Sequence, residues 1–275
     1  MTTITAIIIG VFGAAIGSFL SVTIHRLKKD QKGILLGRSM CPYCKKNLKW
    51  THLIPVFSFL FLRGKCAYCG KKIGYHYLFI EILTATLFVL AFLNWNFLET
   101  AASTIDPSIL SYSINYKTLE VFTFYILEIT LMMGMFFYDL RFKEIPDKFS
   151  LPAIVLGVIG TLTFTPSNIT SIGIALLIIA IFFGGQIVLS KGRWLGGGDL
   201  RVGALMAILL GVKLMLLALI LSYVIGAFIS IFLLISGKAT RKTAIPFGPF
   251  LITGTLISVF VGTDILTAYF KLLGI

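Results

Sequence analysis

Phe136-Phe137-Tyr138-Asp139-Leu140-Arg141 closes a run of mostly apolar residues that begins at Leu119, and the run is long enough to cross a bilayer as a helix. It is not alone. With 57% apolar and only 13% charged residues in 275, the chain cannot be a water-soluble domain built round one core, and its apolar material falls into separate spans. Stretches of about 17 to 25 apolar residues start near Ile4, Tyr77, Leu119, Leu151, Ser171, Gly198, Leu214 and Pro249. This predicts an all-α polytopic membrane protein of about eight helices. The sixth is the weakest, because Lys213 cuts it short.

Charge orders these spans. Twelve of the 24 Lys and Arg residues lie in 25–76, and three each in 139–150, 191–203 and 236–243, whereas only Lys117, Lys213 and Lys271 fall in the alternate connections. The positive-inside rule then places the basic face in the cytoplasm and both termini outside. No Lys or Arg precedes the first apolar run and several follow it, so residues 1–24 read as a retained membrane helix and not as a signal peptide. The net charge of +13 follows from topology and attraction to anionic lipid, and calls for no nucleic-acid partner.

Residues 25–76 make the one sizeable hydrophilic segment, between the first two membrane helices. It holds all four cysteines, as Cys41-Pro42-Tyr43-Cys44 and Cys66-Ala67-Tyr68-Cys69. Each knuckle lets two thiolates converge on one ion, and two knuckles complete the tetrahedron zinc accepts. Two disulfides or four plain thiols are the alternatives, and a reducing cytoplasm favours metal over disulfide. A site closed by four thiolates leaves no position for water. Zinc at Cys41, Cys44, Cys66 and Cys69 would therefore hold a zinc-ribbon-like loop together and would not be a catalyst.

Only 11 residues are acidic, and two of them sit at the edges of apolar helices: Asp139, and Asp199 in Gly196-Gly197-Gly198-Asp199-Leu200-Arg201. Two membrane passages separate them, so both meet the same face of the bilayer, where a pair could share one proton as in an aspartyl protease. Taken alone, Asp139 has an ordinary reading, facing headgroups or a nearby Arg. Asp199 is harder to explain that way. Each glycine before it costs about 1 kcal/mol against alanine in a helix, so something there needs backbone freedom or close approach, such as a substrate strand alongside. Other chemistries are thin: there is no His-Glu-x-x-His helix and no Gly-x-Ser-x-Gly elbow, and glycines 196–198 lack the rest of a phosphate loop or a dinucleotide fingerprint. His25, His52 and His76 lie in or beside the cysteine loop and read as interfacial or hydrogen-bonded residues, not as bases.

Gly196-x-Gly198-Asp199, with an upstream Asp139 opening Asp-Leu-Arg-Phe-Lys-Glu-Ile-Pro-Asp, resembles the prepilin peptidase family of Gly-x-Gly-Asp aspartyl proteases. Gly17-Ser18-Phe19-Leu20-Ser21-Val22 through Arg26 is similar to that family's first helix. The double Cys-x-x-Cys loop, with Trp50, Ile54-Pro55 and Arg63-Gly64-Lys65-Cys66, is similar to its cytoplasmic insert, so the resemblance runs from about Gly17 to about Pro249. Arg201, where the family often has Lys, and Ser21, where Asn is common, depart from the pattern. The resemblance implies that Asp139 and Asp199 are catalytic and that Asp147 shapes the short polar loop that is expected to open at Asp139. It also implies a bacterial cytoplasmic-membrane enzyme that removes a basic leader from type IV prepilins or pseudopilins at the cytoplasmic face.

Many family members with the cysteine loop also methylate the new amino terminus using S-adenosylmethionine, and the resemblance implies that activity here. The chain then divides into 1–94, carrying the loop and the methyltransferase part, and 95–275, the peptidase region. No Rossmann-type motif is present, and a cofactor pocket would use the loop with adjacent helix ends. Glu81, in Leu78-Phe79-Ile80-Glu81-Ile82-Leu83, could hold the substrate amine or pair with a basic loop residue. The competing reading is a transporter or channel with a regulatory zinc loop. It would place carboxylates near the bilayer midplane, in matching broken helices of two halves.

Overall fold

The structure, a computed structural model, describes residues 2–28, 39–41, 43–102, 110–193, 195–240 and 243–274; the stretch 29–38 of the cysteine loop lies outside the described residues. Its helices are α1 (Thr2–Lys28), α2 (Phe57–Phe61), α3 (His76–Asn94), α4 (Tyr116–Phe142), α5 (Asp147–Phe164), α6 (Ile169–Ser190), α7 (Gly197–Ile235) and α8 (Gly248–Leu272). All but the short α2 are long and apolar enough to cross a membrane, seven among the described residues, as an all-α polytopic protein requires. A two-stranded antiparallel ribbon, β1 (Leu98–Ala102) with β2 (Leu110–Ile114), adds an element the sequence did not suggest; Leu98 pairs with Ile114.

The chain divides into two compact units, Met1–Met133 and Gly134–Ile275. In the first, α1 and α3 run antiparallel. A Cβ on Gly13 would lie 2.9 Å from the Ala85 backbone, and one on Gly17 would lie 2.8 Å from that of Glu81. Small residues here let two membrane helices approach backbone to backbone. Past α3, Trp95 stacks on Tyr125 of α4 at 3.8 Å, and Phe92, Phe97 and Phe122 form an aromatic cluster beside them. The Asn115 side chain caps α4 by accepting the Thr118 N–H. Glu128 is fully buried in α4, and its carboxylate has no hydrogen-bond partner among the described residues.

In the second unit α7 packs against α5, α6 and α8. At 39 residues, or about 58 Å, it is nearly twice the hydrocarbon thickness, and it is not one rod. Gly211 breaks it at φ 63, ψ −176, a conformation essentially confined to glycine. Contacts along α6 show what the break does. Gly203 presses on Phe183 and Ile179, the Val212 N–H reaches Ser171 Oγ, and Tyr223 is back beside Phe182 and Gln186. The two limbs of α7 therefore run in opposite directions. The second continues antiparallel to α8, with Gly226 at Phe250, Ser222 at Gly254 and Leu214 at Gly262. Seven helices thus carry eight apolar limbs, and the helices expected to start near Gly198 and Leu214 are the two arms of α7.

Candidate active site and metal centre

α4 continues one turn beyond Asp139, and the polar loop expected to open there is shorter, 143–146. Lys143, at φ 57, ends the helix, with its N–H donating to the Asp139 carbonyl at 2.8 Å. Asp139 is only 4% exposed, and its carboxylate accepts the backbone N–H of Gly248, the first residue of α8. Asp199 lies half-buried in the first turn of α7. Its Oδ2 accepts the N–H of Gly196 at 3.1 Å, the one half of a capping box that a glycine at the helix start allows. Each carboxylate thus meets a helix amino end, Asp199 at that of its own helix and Asp139 at that of α8.

Asp139 and Asp199 lie close enough to interact electrostatically, and both line one cavity of about 410 Å³. Lys143, Glu144, Arg201 and residues 244–247 complete its wall with others. Asp147 is outside that wall. It forms an ion pair with Arg201, whose guanidinium also donates to Ser150 Oγ at 3.4 Å, so Asp147 ties the start of α5 to the start of α7.

The glycines before Asp199 divide by role. None has positive φ, and a side chain on Gly197 would meet nothing within 4 Å. A Cβ on Gly198, by contrast, would lie 2.9 Å from Ile145 Cβ. The close approach at Gly198 is therefore to Ile145 of the same chain. Ile145 is buried and serves as a spacer on both sides: a Cβ on Gly248 would lie 2.9 Å from its Cδ1 and 2.6 Å from Asp139 Oδ2. Ile145 and Gly248 were not singled out from sequence. The available signal was the Pro246-Phe247-Gly248-Pro249 stretch opening the last apolar run, with proline at the helix start.

The other cluster lies in the first unit. The ligand atoms of Cys41, Cys44, Cys66 and Cys69 all fall within 4.8 Å of one another, and Cys41 Sγ is 3.9 Å from Cys69 Sγ. A tetrahedral zinc with bonds of about 2.3 Å needs sulfurs about 3.8 Å apart, so this donor set fits the ion. The two knuckles share one geometry. Cys41 N donates to Lys46 O and Cys66 N to Lys71 O, with Lys45 at φ 55 and Gly70 at φ 67 as equivalent turn residues. Lys46 sits over the Tyr68 ring at 5.6 Å, and Lys71 over Tyr43 at 4.9 Å, each knuckle covering the other. The backbone amide of Tyr68, helped by that of Cys69, lowers the Cys66 thiol to about 7. For Cys69 the Lys71 amide acts in the same sense, but desolvation and the other thiols outweigh it and push the group up to about 11. A thiol binds a metal as thiolate, so a cation taken up here would displace protons from the cluster.

Glu81 is buried in α3, its Oε2 accepting the Val56 N–H at 2.7 Å and its carboxylate also bonded to Ser18 of α1.

Two family models match the chain: residues 11–95 match the bacterial peptidase A24 N-terminal domain, and residues 126–231 match the type IV leader peptidase family. Among curated proteins, the prepilin leader peptidase/N-methyltransferase of Legionella pneumophila is 29% identical, over 96% of this chain and 93% of its own length. The protein of that name from Bacillus subtilis is 28% identical over 96% and 98%, and that from Xanthomonas campestris 29% over 96% and 93%. No solved structure matches the chain.

Proposed function

Because the chain belongs to the type IV leader peptidase family, we propose that it cuts the leader from type IV prepilins or pseudopilins and then methylates the exposed amino terminus. The observation that carries the peptidase reading is the pair of carboxylates, Asp139 and Asp199, on one cavity. One carboxylate takes a proton from water, whose oxygen attacks the scissile carbonyl carbon while the other, as acid, protonates the carbonyl oxygen. The roles then reverse: the C–N bond breaks, the departing amine takes a proton, and the leader leaves with a new carboxyl group. The carboxylates sit at helix ends, which favours this reading over a transporter with midplane charges.

We place the cavity at the cytoplasmic face of the bacterial inner membrane and both termini outside. The basic connections at 139–150, 191–203 and 236–243 support this, as does the even number of apolar limbs. Zinc at the four cysteines would hold the loop in shape. S-adenosylmethionine would supply the methyl group, bound by the loop and adjacent helix ends. The division at about residue 94 into methyltransferase and peptidase parts is likewise our proposal. The protein purified in detergent, given a prepilin and S-adenosylmethionine, should yield a mature chain shortened by its leader and heavier by one methyl group on mass analysis. An uncut precursor would overturn the reading, and a cut but unmethylated product would remove its second half.

Gly248→Ala tests how Asp139 is held. The new Cβ would stand 2.6 Å from Asp139 Oδ2 and push the carboxylate off the Gly248 amide. Displacement of about 1 Å can cost about a hundredfold, so cleavage should fall by about that factor at normal protein level. Gly197→Ala, with open space at its Cβ, should stay within about twofold of wild type in the same cleavage assay.

A further inference from the structure

Between the two cysteine knuckles the hydrophilic segment contains a stretch that is not hydrophilic. Residues 53–62 read Leu-Ile-Pro-Val-Phe-Ser-Phe-Leu-Phe-Leu, without a charge, and they contain α2. Its side chains do not form a core. Phe57 and Leu60 are exposed, Phe61 is 84% exposed, and the nearby Trp50 is 76% exposed. Left in water, this apolar area forfeits about 25 cal/mol per Å².

Three observations fix where the segment lies. First, α3 has 19 residues, about 28 Å, just short of a hydrocarbon core of about 30 Å, so a membrane-spanning α3 has its first turn at the boundary. Glu81 lies five residues after His76 and hence about 7 Å farther along the axis, yet it reaches Val56, the residue immediately before α2. The Phe59 ring also meets Tyr75 at 5.7 Å, so α2 lies beside the beginning of α3. Second, Val56 adopts φ 62, ψ −54. A β-branched residue at positive φ is strained and persists only when its surroundings hold it, and the Glu81 carboxylate does so. Third, no acidic residue occurs between Asp30 and Glu81, while Lys49, Arg63 and Lys65 flank the apolar stretch. Aromatic side chains ringed by cations match the headgroup layer of an anionic bilayer.

We propose that the segment around α2 is a membrane-interface anchor, inserted in anionic lipid through Trp50, Phe57, Leu60 and Phe61, and that Glu81 is the positioning residue that sets its depth. The cysteine loop is then docked on the bilayer at its middle as well as joined to membrane helices at both ends.

The test uses the full chain in vesicles of phosphatidylcholine and phosphatidylglycerol, with a single tryptophan as reporter. Two reporters are made in parallel: native Trp50 with Trp95→Phe and Trp194→Phe, and Phe61→Trp with all three native tryptophans changed to Phe. Lipid brominated high in its acyl chains should quench emission from both by half or more, and aqueous iodide should quench little. Quenching by iodide in place of bromolipid would overturn the proposal, as would protection from both, which would mean that protein covers the segment. Glu81→Gln, whose amide oxygen still accepts the Val56 N–H, should keep the bromolipid quenching, and Glu81→Ala should lose at least half of it. Equal depth in the Ala variant, or loss in both variants, would overturn the positioning role of Glu81.

Discussion

Asp139→Asn and Asp199→Asn should each abolish prepilin processing in cells while leaving the amount of membrane-inserted protein near normal. An amide keeps the shape of the side chain but can act neither as general base nor as general acid, and proton transfer alone contributes about 10² to 10⁴ in rate. Because the two carboxylates would share one reaction, losing either should cost nearly as much as losing both. Stability argues in the same direction. Asp139 accepts one backbone N–H from Gly248, and Asp199 one from Gly196. An Asn oxygen can accept either, so the fold loses little. Immunoblots showing uncut precursor beside normal enzyme levels would meet the expectation.

Replacing Cys41 and Cys44 by Ser should produce mature but unmethylated pilin. Two of the four converging sulfurs would be gone, and a loop whose central apolar stretch is exposed has little core of its own to fall back on. Methylation should drop to background while cleavage stays within about tenfold of wild type, because both carboxylates lie in the other compact unit. The wild-type protein should carry about one zinc per chain by elemental analysis and the Ser variant none. The aspartate variants should still methylate a pilin supplied already cut. Absence of zinc from the wild type, or full methylation by the Ser variant, would refute the separation.

Much of this was legible because apolar length is a coarse signal read over many residues. The helices expected near Tyr77, Ser171 and Pro249 begin at His76, Ile169 and Gly248. The cysteine knuckles were legible because short spacing brings their ligands together locally. Other features lay beyond local reading. Leu140, Arg141 and Phe142 carry no stop signal, so the extension of α4 past Asp139 could not be seen; the left-handed turn at Lys143 ends it. The need for Gly198 became clear only with Ile145 in place, since that contact joins the loop before α5 to the start of α7. Glu128 was hidden inside the apolar run of α4, and the exposed segment around α2 inside a loop read as hydrophilic from its charges.

The most direct test of the central claim is single-turnover cleavage of a purified prepilin by wild type, Asp139→Asn, Asp199→Asn and Asp147→Asn, measured side by side in the same detergent. The predicted result is a loss of at least about 10³-fold for the first two variants, with most activity retained by Asp147→Asn, whose side chain is not part of the cavity wall and pairs with Arg201 at its edge. Cleavage by Asp139→Asn at a rate near wild type, with Asp147→Asn inactive, would contradict it and move the first catalytic carboxylate to Asp147.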